Sequence, residues 1–166
     1  MDDWVFVLAA VSALASAIAA FTSLAQAKGT AQGNEVSAYL RLMEDYGDPA
    51  MREALLELGK FWRERKGSFT DAGAAWSALN EADPDAANAV RRHSRLVSNY
   101  FGNAARLFEA GLISRKLFRL LISRPGLNVY YEIVVPINVV RNPAGHTAHY
   151  VRLLKRVVKQ YADGLY

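Results

Sequence analysis

The chain has 166 residues, 52% apolar and 22% charged, which suits one ordinary domain with a buried core and excludes a disordered polar chain. It has no cysteine, so disulfides, thiolate metal sites and a cysteine nucleophile are excluded. The net charge of +4 is unevenly spread: residues 1–27 carry only Asp2 and Asp3, residues 28–86 hold 7 Lys/Arg against 11 Asp/Glu, and residues 87–166 hold 13 against 3.

The first element is an uncharged run of 24 residues, Trp4 to Ala27. As a helix it extends about 36 Å, long enough to cross a hydrocarbon core of about 30 Å with some tilt. A secretory signal has a positive start and a shorter apolar core, whereas this chain begins Met-Asp-Asp. The small-x-small step Ala25-Gln26-Ala27 is therefore read as incidental to an alanine-rich helix, and a retained span is preferred over a cleaved leader or a buried core helix. Residues 1–28 are expected to form a transmembrane anchor and 29–166 a cytoplasmic helical domain. Lys28 and Arg41 follow the span and no Lys or Arg precedes it, so the positive-inside rule places the short N-terminus outside.

Within that run Ala9, Ala13, Ser16, Ala20 and Ser23 recur at steps of three and four, opposite Val7, Val11, Leu14, Ile18 and Phe21. Small residues let another helix approach closely in lipid, so this stripe is the expected membrane helix-packing face. Its partner is a membrane protein complex or a second copy of the chain.

Helical patterns follow at about 35–46, 49–65, 71–81, 84–110, 115–123 and 146–162. Asp48-Pro49 and Asp83-Pro84 each supply an N-cap followed by proline at the first helical position. Gly111 stops the long central helix and Ser114 caps the next. In that central helix Val90, Val97, Phe101, Ala104, Phe108 and Leu112 form an apolar stripe, widened by Leu96, Tyr100 and Leu107. Asn99 and Asn103 lie one turn apart and read as surface amides in preference to a bonded pair. The segment YYEIVVPINVV (130–140) is rich in β-branched residues, but no second strand exists to pair with it. It is expected to be a short helix broken before Pro136. The architecture expected is all-α: one N-terminal transmembrane helix followed by a small helical bundle.

The stretch SNYFGNAARLFEAGLIS (98–114), with Arg91-Arg92, Asn99-Tyr100-Phe101, Gly111-Leu112-Ile113, Tyr131 and Pro136, resembles a bacterial family known only as a domain of unknown function. The resemblance implies a single N-terminal membrane helix and a short cytoplasmic helical domain at the bacterial inner membrane. It implies no activity and no catalytic residue.

Candidate chemistry is sparse. His146 and His149 share a helical face, but Glu132 and Asp163 stand in no persuasive relation to them, so ordinary histidines are preferred over a metal site. His93 sits among Arg91, Arg92 and Arg95, which disfavours its protonated form. Glu53 and Glu57 share a face with Arg52 and Lys60 nearby and read as solvated surface. There is no phosphate loop, nucleophile elbow or HExxH, and no cofactor is expected. The basic helices are more suggestive: Arg115, Lys116 and Arg119 in one, and Arg152, Lys155, Arg156 and Lys159 in another, lie opposite apolar faces. They read as solvated faces, or as docking surfaces for membrane lipids or an acidic protein. A nucleic-acid partner is disfavoured because no recognised module accompanies the charge. The preferred function is a non-catalytic accessory or adaptor subunit of a membrane complex; the alternative is a tethered sensor or effector that self-associates.

Overall fold

A computed structural model describes residues 29, 30, 32–122, 126–143, 151, 152 and 154 of the chain. The described residues are helical throughout, joined by turns, with no strand among them. Two compact units are distinguished, residues 1–37 and 38–166, and the boundary falls within the first helix, α1 (32–47). The architecture below is that of the second unit.

The capping residues start their helices as their chemistry requires. The Asp48 carboxylate accepts from the Ala50 N–H at 2.7 Å, and Pro49 opens α2 (Pro49–Arg65). Asp71 accepts from Gly73 and Ala74 at 2.8 and 2.9 Å and starts α3 (Ala72–Ala82). Asp83 accepts from Ala86 at 3.1 Å and starts α4 (Pro84–Glu109). The end of α4 is a Schellman motif: Gly111 turns left-handed at φ 69°, its N–H meets the Phe108 carbonyl, and Leu112 N–H meets the Leu107 carbonyl. The Ser114 hydroxyl accepts from Leu117 N–H at 3.4 Å at the start of α5 (Arg115–Ile122).

The core gathers around α4, which packs against α2, α3 and α5. From α2 come Met51, Ala54, Leu58 and Phe61, spaced to share one face. From α4 come Val97, Tyr100, Phe101, Ala104 and Ala105. Each large side chain buried in this way stabilises the fold by about 1.5–3 kcal/mol relative to exposure. A file of rings runs through it: Tyr46, Tyr100, Phe101, Tyr130 and Tyr131, successive centroids 5.0–5.6 Å apart. Phe108 stacks on Phe118 at 4.5 Å and fixes α5 against α4.

The stripe expected on α4 holds at Val97, Tyr100, Phe101 and Ala104, with Val90, Leu107 and Phe108 half-buried against the same core, and departs from expectation at Leu96 and Leu112. Leu96 is 38% exposed and Leu112 48% exposed. Leu112 lies past the left-handed turn at Gly111, where helical spacing no longer determines which way a side chain faces. The buried positions nearer the N-terminus of α4 are the small residues Ala87 and Ser94, in the part of the bundle where α3, rich in Ala and Gly, packs on α4.

The break expected before Pro136 does not occur. Helix α6 (Gly126–Val129) runs into a π-helical turn at Tyr130–Val134 and on into α7 (Val135–Arg141). Proline in an α-helix loses one hydrogen bond and clashes with the carbonyl four residues earlier. Here Val135 N–H donates to the Tyr130 carbonyl, five residues back, so the widened turn accommodates Pro136 without ending the helix. Tyr130, Ile133, Val134 and Ile137 then fall on one buried face, which explains the β-branched composition without a sheet.

Candidate functional site

Helices α4 and α7 bring four arginines into one region. Arg91 and Arg95 are one turn apart on α4, and Arg92 lies between them in sequence. Together with Asp85 and Asn88 they line an open cavity of about 480 Å³. Arg141 ends α7 near them. Its pKa is lowered from the ordinary arginine value first by burial, then by the charges of Arg91 and Arg95. Because guanidinium keeps its proton in proteins, this lowering means a charge held where it is unfavourable rather than a neutral arginine.

Arg141 owes its position to three devices. Asn138, one turn earlier, donates from Nδ2 to the Ser98 hydroxyl on α4 at 3.2 Å. The Arg141 guanidinium carbon lies 5.9 Å from the Trp76 ring centroid, at the limit of a cation–π contact. Trp76 is itself held by its indole N–H donating to the Ala87 carbonyl at 3.1 Å. Helix α3 reaches α7 closely through Gly73, where a β-carbon would sit 2.7 Å from the Pro136 carbonyl oxygen. Among the described residues none of the four arginines is within ion-pair distance of a carboxylate.

A second, smaller cavity of about 280 Å³ lies between α2 and α4, lined by Asp45, Asp48, Leu96, Asn99, Tyr100 and Asn103 among others. Asn99 and Asn103 are exposed, as surface amides are. The phenols of Tyr130 and Tyr131 are buried deeply enough to resist ionisation: burial pushes Tyr130 up to about 12, and raises Tyr131 further with the help of Tyr130.

The residues singled out from sequence are dispersed. Arg115 and Lys116 are exposed on α5, Arg119 is half-buried, and Arg152 is exposed on a helical residue. Lys155, Arg156 and Lys159 lie outside the described residues, as do Ala9, Ala13, Ser16, Ala20 and Ser23 of the small-residue stripe. His146 and His149 also lie outside them, while Glu132 is exposed on the π turn. Among the described residues no group of three His, Asp or Glu side chains is placed to hold a metal. None of their helices is long and apolar enough to cross a membrane, and the run from Trp4 to Ala27 is not among them.

In the sequence Arg91, Arg92 and Arg95 stand out as neighbours of His93, and Arg91-Arg92 as part of the family resemblance; nothing there links Arg141 to them. Their recurrence one turn apart on an otherwise amphipathic helix was the available signal. That Arg141 joins them follows from the packing of α7 on α3 and from the Asn138–Ser98 bond to α4. The chain matches no protein-family model, no curated protein and no solved structure at a significant level.

Proposed function

We propose that the protein is a non-catalytic, single-pass membrane protein of the bacterial inner membrane, acting as an accessory or adaptor subunit of a membrane complex. The observation that carries this reading is the uncharged run from Trp4 to Ala27, whose length and composition suit a lipid environment. The small-residue stripe Ala9, Ala13, Ser16, Ala20 and Ser23 would pack against a neighbouring membrane helix. The helical domain would face the cytoplasmic headgroups or an acidic partner.

The surface of α5 supports this. Phe118, Leu121 and Ile122 are buried, while Arg115 and Lys116 are exposed with Leu120, which is 47% exposed and one turn from Lys116. A basic surface carrying an exposed leucine suits an anionic interface, where each Lys or Arg close to the surface contributes about 1 kcal/mol before screening. Purification of the full chain from native membrane in mild detergent tests the reading: co-elution with other membrane proteins is expected. Elution as a single copy in both mild detergent and lipid nanodiscs would overturn it.

A further inference from the structure

We propose that Arg91, Arg92, Arg95 and Arg141 form a binding site for an anion with clustered phosphate groups. Arg91, Arg92 and Arg95 line one cavity. Arg141 is outside that lining, on α7, held beside Trp76, whose indole bonds Ala87 of α4, and next to a side-chain bond from Asn138 to Ser98 of α4. Like charges at one-turn spacing are mutually unfavourable, and Arg141 is partly desolvated beside two of them. Among the described residues no carboxylate pairs with any of the four, and the one acid that lines the cavity, Asp85, leaves a clear cationic excess. Such an arrangement is electrostatically unfavourable when empty and is relieved by a multivalent oxyanion.

The donor chemistry narrows the class. Guanidiniums present planar forks that match phosphate oxygens bidentately, and several converging forks favour two linked phosphates over one carboxylate. The Asn88 amide adds a neutral donor at the same wall. The cavity is open and polar, which suits a hydrated phosphate cluster better than an apolar ligand. The site is independent of the proposed anchor, because every residue in it belongs to α4 or α7.

Inorganic pyrophosphate is the probe, titrated by calorimetry into the full chain in a zwitterionic detergent. It is expected to bind, and Arg95→Gln or Arg141→Gln is expected to weaken binding by about tenfold or more, the loss of one charge-assisted contact. Arg141→Lys, which keeps the charge but loses the fork, should fall between. Arg115→Gln on α5 should bind as the parent does. Without pyrophosphate, Arg95→Gln should melt no lower than the parent, since it removes repulsion. A purely structural arginine would lower the melting temperature instead. Absence of binding would overturn the proposal, as would parental affinity in the Arg95 and Arg141 variants or a loss in Arg115→Gln as large as theirs. Repeating the titration in nanodiscs with and without anionic phospholipid assigns the source. Competition by the anionic discs identifies lipid phosphates as the occupant and unchanged affinity identifies a free phosphate compound, and either result upholds the site.

Discussion

Asn138 Nδ2 donates to Ser98 Oγ at 3.2 Å, one turn before Arg141 on α7 and one turn after Arg95 on α4. This side-chain bond is a direct polar link between the two helices that contribute these like charges, and it acts beside the α3 contacts that seat α7. Asn138→Ala is expected to destabilise the protein by about 1 kcal/mol, the usual worth of such a bond. Combining it with Ser98→Ala should cost less than the two separate losses added together, because both remove the same bond. Denaturant unfolding of the four proteins in the cycle measures the coupling.

Gly73 and Gly102 should respond oppositely to alanine. At Gly73 a β-carbon meets the Pro136 carbonyl oxygen at 2.7 Å and Val140 Cγ2 at 2.8 Å, so α3 and α7 must separate. The gain in helix propensity, about 1 kcal/mol, is outweighed there by lost packing. At Gly102 nothing lies within 4 Å of the new carbon, and the same propensity gain is realised. Gly73→Ala should lower the unfolding midpoint and Gly102→Ala should raise it.

Ser94 is fully buried on α4 and its hydroxyl has no hydrogen-bond partner among the described residues. A desolvated, unpaired hydroxyl opposes folding, so Ser94→Ala should stabilise by about 1 kcal/mol or be neutral. A loss above about 1 kcal/mol on thermal unfolding would mean that the hydroxyl is satisfied within the fold.

Tyr130 is raised from an ordinary phenol pKa of 10.0 to about 12 by burial. In the unfolded chain the phenol ionises near 10, so above that pH the unfolded state releases a proton that the native state still holds. Stability is unaffected below pH 10 and falls between about 10 and 12, by up to about 1.4 kcal/mol per pH unit for this group. Tyr131, raised in the same direction, extends the loss to higher pH. Tyr130→Phe should flatten this alkaline decline, as followed by circular dichroism across a pH series.

Local signals in the chain were readable because their chemistry is confined to a few adjacent residues. Asp48-Pro49, Asp83-Pro84 and Gly111 act on backbone groups within four residues, and each does what its position implies. Residues 130–140 were ambiguous because β-branched side chains suit a strand and a buried helix face equally well, and proline usually ends a helix. The π turn that rescues the helix has no compositional marker. Arg141 was unreadable as a companion of Arg91 and Arg95 for a different reason: their proximity is created by α3, whose Gly73 lets α7 dock where a larger residue would hold it away. Tertiary packing, not spacing along the chain, assembles that site.

The anchor is the premise of the proposed function, and alkaline carbonate extraction of native membranes containing the full chain tests it most directly. Integral insertion predicts that the protein stays with the membrane pellet, because the uncharged run from Trp4 to Ala27 resists transfer to water whatever the surface charge. Release of the intact chain into the supernatant would contradict the account and leave only a peripheral, charge-dependent association.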